Sequence, residues 1–254
     1  MISRFKDQLA DDKGVHLAWC AMRDQQLISA ISQQAFEAVL LDCQHGFHNE
    51  GTVLDCIPNV VNAGKSPIVR IPIGRWDLCE RVLDFGALGV VAPMINNVDD
   101  ARAFAKSAKY LNPGARSYSP RYAAQLYGIS GDEYMKCAND CTFSFAQIET
   151  REAYDNLDEI LAVDGIDGVL MGPSDFSISI TQNRIPDNYG SGTIDLIRDI
   201  AERTRKAGKH AAAFTANTDH ANLVYACGYR LISLAMDSTI IAAGSAAAFK
   251  NLDF

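Results

Sequence analysis

Eight short apolar runs, most of them separated by helix-like stretches, constrain this chain more than any other feature. They are VHLAWCA (15–21), EAVLLDCQ (37–44), SPIVRIP (66–72), LGVVAPM (88–94), TFSFAQIE (142–149), IDGVLMG (166–172), HAAAFTA (210–216) and YRLISLAMD (229–237). Most are continuously apolar rather than alternating, as strands buried on both faces should be. Helix-like segments at 52–64, 75–86, 98–110, 152–163 and 193–208 lie between them, several closing at glycine as helix C-termini often do. Eight such strands in 254 residues predict an α/β fold, the TIM (β/α)8 barrel. No Pro/Gly/Ser linker divides the chain, so one domain over residues 1–254 is expected. A doubly wound open sheet is the rival, but WCAMRDQQ after the first strand lacks the glycine-rich turn of that fold. Two long connections, 110–128 and 181–192, are expected to start at the face where barrel active sites form.

Composition narrows the partners. A formal charge of −8 argues against a nucleic-acid binder, which needs a basic face. A small anionic substrate would then need a local arginine or a metal. No apolar stretch reaches the roughly 20 residues of a membrane-spanning helix. The opening MISRFKDQLADDKG lacks the apolar core of a secretion signal. The seven cysteines contain no CxxC pair, and Cys137 and Cys141 lack the partners of a zinc site. A reducing cytoplasm with free thiols is the simple expectation.

In a barrel, active-site residues sit at the C-terminal ends of strands. Those ends carry Trp19, Asp42 to His45, Arg70, Pro93, Glu149, Asp175 just past strand six, and Asp237. Glu149 and Asp175, at adjacent strand ends, could share one hard divalent cation, Mg²⁺ or Mn²⁺. Asp175 alone reads equally well as a helix N-cap. Arg70 emerges from a buried strand with a fork suited to a carboxylate or an enolate oxygen, or to a structural ion pair. His45 has the pKa range for proton transfer, and Asp42 three residues earlier could orient it. His48 is expected on a solvated turn, and His16 and His210 at the wrong end of the barrel. Trp19 is either a pocket wall or core. None of the nine lysines falls at the C-terminal end of a strand, so imine chemistry has no evident lysine. A Cys43–His45 nucleophile pair has no oxyanion hole in evidence.

The stretches LLDCQHG, VRIP, LDFGALGVVAPMI, YLNPGARS, QIET and GIDGVLMGPSDFS resemble the HpcH/HpaI aldolase family, the metal-dependent 2-keto-3-deoxy-sugar-acid and 4-hydroxy-2-oxoheptanedioate aldolases. The resemblance runs from about residue 36 to 180. It implies a TIM barrel in a homo-oligomer, a hexamer built as a dimer of trimers. It also implies reversible cleavage of a 4-hydroxy-2-oxo acid to pyruvate or a related 2-oxo acid plus an aldehyde. On this resemblance Glu149 and Asp175 match the metal ligands, with Mg²⁺, Mn²⁺ or Co²⁺ as the cation and no organic cofactor. His45 matches the acid–base histidine with Asp42 as its partner, and Arg70 the arginine that holds the oxo acid and its enolate. Gln147 matches a residue at the oxo-acid end, and Trp19 an aromatic of the first strand. Gly172, Pro173 and Ser174 complete the expected substrate site, where backbone N–H groups opening a helix would bind the carboxylate.

Three departures stand out. Gln44 replaces the acid of the family's D-x-E-H and could still bond metal-held water. Ser174 stands where alanine is common and adds a hydroxyl near the oxo acid. RSYSP replaces a glycine-containing form after Arg116, placing Tyr118 on the expected aldehyde side. Gln44 and Ser174 motivate, beside pyruvate, the expectation of a more polar donor such as hydroxypyruvate. The rivals are a thioester-using barrel lyase of the citrate-lyase or malyl-CoA type and a non-catalytic ligand-binding barrel.

Overall fold

A computed structural model describes residues 2–250 as a closed parallel barrel in strand order β1 to β8. The strands are β1 Val15–Cys20, β2 Ala38–Asp42, β3 Ser66–Arg70, β4 Gly89–Ala92, β5 Phe143–Ile148, β6 Gly168–Met171, β7 His210–Ala213 and β8 Leu231–Met236. Each falls inside one of the eight apolar runs. β2, β3, β4, β5 and β6 are buried along their whole length, because barrel interior and helical ring cover both faces. Phe145, Leu40, Ile68 and Val169 are fully buried in this core. Truncating a phenylalanine so placed costs ~3–5 kcal/mol.

The five expected helices form with shifted ends, and 152–163 splits into Arg151–Asp155 and Leu157–Leu161. Several helices escape a reading based on apolar period alone, among them Gln25–Ser32, Gly131–Cys141 and Thr218–Cys227. Side-chain caps start many of them: Asp24 accepts from the Leu27 N–H, and Ser130 and Glu133 form a capping box.

The connection 110–128 is not irregular throughout and does not lie at the active face. The helix Val98–Ala108 first returns the chain to the N-terminal face, and Arg121–Tyr127 is itself helical. Lys109 then reaches the Thr142 carbonyl and Asp167, which precede β5 and β6. Arg116 is buried against Asp84 at 2.6 Å, and Tyr118 is 68% exposed on that face. The expected place of Tyr118 beside an aldehyde is therefore corrected for the chain by itself.

Candidate active site

β2 and β3 run in register with Asp42 beside Arg70, so the two side chains leave the same rung together. Arg70 donates from Nε to Asp42 Oδ1 at 2.9 Å and from Nη2 to Oδ2 at 2.6 Å. This fork-on-carboxylate geometry is the strongest form of the ion pair. Trp19, two residues lower on β1, donates from Nε1 to Asp42 Oδ2 at 3.3 Å and lies 4.7 Å beneath the guanidinium. The Gln44 N–H also donates to Asp42 Oδ1, at 3.0 Å. Burial alone would push the Asp42 carboxyl up; the hydrogen bonds and charge of Arg70 outweigh it and hold the group below the usual carboxylate value.

The expectation that Asp42 orients the His45 imidazole is corrected by this geometry. Both carboxylate oxygens face Arg70 and Trp19, and the nearest contact to His45 is its backbone N–H, at 3.4 Å. The imidazole is exposed and lines the mouth of the cavity. A tight turn presents it: a Cβ at Gly46 would collide with the Asp42 carbonyl, so only glycine fits there. Cys43 is pushed up to about 12 by burial and the Asp42 charge, which removes it as a nucleophile. Gln44 does not line the cavity; its Oε1 is buried without a partner. His48 is also not on a solvated turn. It is 5% exposed, with Nδ1 3.3 Å from Thr52 Oγ1, and burial holds its pKa below the usual imidazole value.

Across the barrel, Gln147 lies on β5 and Glu149 one residue past its end, an i, i+2 pair that shares the interior face. Glu149 Oε1 accepts from the Met94 N–H at 2.9 Å, and Oε2 accepts from Gln147 Nε2. Met94 takes a left-handed φ of 55° to aim that N–H, a strained conformation for a side-chain-bearing residue. Burial, joined by the facing charge of Asp175, raises the Glu149 pKa despite those two hydrogen bonds. Asp175 stands exposed in the first turn of the helix Pro173–Thr181. Gly172 precedes this helix, where an added Cβ would meet Glu149 Oε2 at 2.6 Å and Gln147 Nε2 at 2.9 Å. Any other residue would displace the carboxylate.

Trp19, Asp42, His45, Arg70, Gln147, Glu149, Gly172, Pro173, Ser174 and Asp175 thus line one cavity of about 210 Å³. Leu170, Phe214 and Met236 complete its wall, and no lysine lines it. These three escaped the sequence reading because an apolar residue at a strand end looks like core. Phe214 alone carried a signal that could have found it, as the lone aromatic among the alanines of HAAAFTA. It packs edge-on to Trp19 at 4.9 Å.

A closed parallel barrel with its charged side chains gathered at the C-terminal strand ends defines a TIM-barrel enzyme. Residues 16–243 match the family described as HpcH/HpaI aldolase/citrate lyase, and the chain belongs to that family. A hydroxypyruvate/pyruvate aldolase of Rhizorhabdus wittichii is 32% identical over 227 residues, covering 89% of each chain. A 4-hydroxy-2-oxo-heptane-1,7-dioate aldolase of Klebsiella pneumoniae is 30% identical over 250 residues, covering 97% of this chain and 92% of its own. In fold, the chain is similar to the crystal structure of an HpcH/HpaI aldolase/citrate lyase family protein from Burkholderia cenocepacia. Their TM-score is 0.87 at 22% identity, over 98% of both chains. The protein is a carbon–carbon lyase of the aldolase type.

Proposed function

We propose that the protein is a class II aldolase that reversibly cleaves a 4-hydroxy-2-oxo acid into pyruvate or hydroxypyruvate and an aldehyde. One observation carries this reading: a pair of carboxylates, Glu149 and Asp175, shares a cavity with a guanidinium locked in place by Asp42. Divalent-metal dependence is general in the HpcH/HpaI family. The residues here fit such a cation. Glu149 and Asp175 offer only oxygen, and burial, joined by the facing charge of Asp175, raises the Glu149 pKa, a cost that a bound cation would relieve. Among the described residues no cluster of three or more His, Cys, Asp or Glu forms. Mg²⁺, Mn²⁺ or Co²⁺ held by the pair would keep positions for water and substrate oxygens. When bound, the cation supplies Lewis-acid polarisation of the substrate ketone.

The chain's own groups do the rest. N–H groups at the start of the helix Pro173–Thr181 bind the substrate carboxylate, since the first turn leaves them without helical partners. Arg70 donates to the oxygen where enolate charge develops, pre-aligned by Asp42 and Trp19. His45 takes the proton of the C4 hydroxyl, directly or through water, and returns it in synthesis. Gln147 holds Glu149, while Leu170, Phe214 and Met236 exclude water behind the reacting carbons.

A homo-oligomer, a hexamer as a dimer of trimers, belongs to the same proposal. Past Asp237 the helix Asp237–Phe249 presents its apolar residues outward, with Ile241 48% and Phe249 70% exposed. The outer barrel wall carries a groove lined by Ala221, Tyr225, Ile232 and Leu234, with His16, Thr218 and Asn222 beside them. An exposed apolar helix and a bare groove on one chain complement each other between copies. The seven thiols, all free, suit a reducing cytoplasm as the compartment. No helix among the described residues is long and apolar enough to cross a membrane.

Solvent deuterium exchange into the C3 methyl of pyruvate, with and without EDTA, tests the chemistry. Metal-dependent exchange is expected. EDTA-resistant turnover with borohydride trapping would mean imine chemistry and overturn the reading.

A further inference from the structure

The connection 181–192 leaves most of its residues in solvent but tucks Asn188 and Tyr189 back against the barrel. Both neighbours of the Asn188 side chain are anchored. The Asp187 N–H donates to Ser177 Oγ at 2.9 Å, and the Tyr189 hydroxyl donates to the Phe214 carbonyl. Tyr189 accepts a left-handed φ of 66° in that position. The loop is thereby fixed to the helix Pro173–Thr181 on one side and to the cavity wall on the other.

Between those anchors, Asn188 Nδ2 donates to Ser174 Oγ at 3.0 Å. The consequence is a matter of proton inventory. A serine hydroxyl has one proton and two acceptor sites. Asn188 fills an acceptor site, and the Ser174 proton has no acceptor among the described side-chain hydrogen bonds. Ser174 lines the cavity, immediately before Asp175, so that proton is available to a bound molecule. Asn188 Oδ1, meanwhile, is buried without a donor. Asn188 itself does not line the cavity, so the Ser174 proton is the free donor there, and an alcohol oxygen accepts such a proton where a methyl cannot.

We propose that Ser174, positioned by Asn188, selects 2-oxo acid donors that carry a hydroxyl on C3, so that hydroxypyruvate is preferred to pyruvate. The proposal rests on the aldolase reading above. The donor's carboxylate docks at the N-terminus of the helix that bears Ser174, and in a three-carbon donor C3 is only two bonds from the carboxylate carbon. The Ser174 hydroxyl donates to the C3 oxygen. Pyruvate leaves the Ser174 donor unmet, and a site built to bond a hydroxyl discriminates against the analogue without it.

The test compares kcat/KM for hydroxypyruvate and pyruvate with one common aldehyde, in metal-loaded enzyme. Ser174→Ala is expected to lower the hydroxypyruvate-to-pyruvate ratio about three- to tenfold, the worth of one neutral hydrogen bond. Ser174→Thr, which keeps the hydroxyl, is expected to hold the ratio. Asn188→Ala should lower it in the same direction and change it no further in a Ser174→Ala background, as a positioning residue must. Equal losses with both donors would place the hydroxyl on the shared carboxylate and overturn the proposal, as would an unchanged ratio. Deuterium exchange into pyruvate by the unaltered enzyme is measured in parallel. Its absence condemns the aldolase reading; its presence with an unmoved ratio condemns only the role of Ser174.

Discussion

Asp42→Asn separates the pairing seen here from the one the sequence suggested. The substitution keeps the size of the side chain but removes its charge, leaving Arg70 nine-tenths buried beside an amide that can satisfy only one arm of its fork. Side-chain exposures of 10% for Arg70 and 2% for Asp42 make this a buried ion pair, and breaking one by removing a partner costs ~3–5 kcal/mol. For a chain of this size each kcal/mol moves Tm by about 2–4 °C, so a drop of about 6–20 °C is expected by calorimetry. Adding Arg70→Met removes the stranded charge, and the double variant should recover most of that loss. Activity does not recover, because a guanidinium out of place or missing costs at least about 10²-fold in kcat/KM. The pH dependence carries a sign. The Asp42 pKa is depressed in the folded protein, so its contribution is fully present above the ordinary value of 3.8 and is lost as pH falls through the lower folded value. The stability gap between the unaltered protein and Asp42→Asn should therefore narrow only below about pH 4. If the single variant melts within about 2 °C of the unaltered protein, or the two losses simply add, the locked-arginine argument is refuted.

Glu149→Gln should lower kcat by at least about 10²-fold and abolish Mn²⁺ binding followed by calorimetry. Because burial and Asp175 raise the Glu149 pKa, the same change should stabilise the EDTA-treated protein at neutral pH, where the ionised acid is a cost relieved by protonation; a lower Tm would contradict this. Lys109→Met removes a buried ammonium that meets Asp167 at 2.7 Å and the Thr142 and Asn139 carbonyls, and should cost about 3 kcal/mol in urea unfolding with KM unchanged. Ile241→Asp with Phe249→Asp should reduce the particle mass in analytical ultracentrifugation, while a mass equal to that of the unaltered protein would place the subunit contacts elsewhere.

The barrel was legible because strand burial on both faces writes itself as continuous apolar runs, and eight such runs leave few closed arrangements. The site was legible for a related reason: in a parallel barrel every strand ends on the same face, so reading the residues at those ends in order collects Trp19, Asp42, His45, Arg70, Glu149 and Asp175 without knowing any distance. What chain order does not carry is lateral position. That Asp42 serves Arg70 rather than His45 depends on the register of β2 against β3, a contact between residues 28 apart. The Arg116 stretch reads as a loop after strand four, but the length and direction of an intervening helix carry it to the opposite face. His48 and Asn188 look like ordinary loop residues until packing buries one and ties the other to Ser174. Sequence period and strand order thus determined the barrel and the membership of its rim. Side-chain partnership was left to the tertiary structure, because hydrogen bonds and ion pairs act over about 3 Å and only the folded chain brings those atoms within that reach.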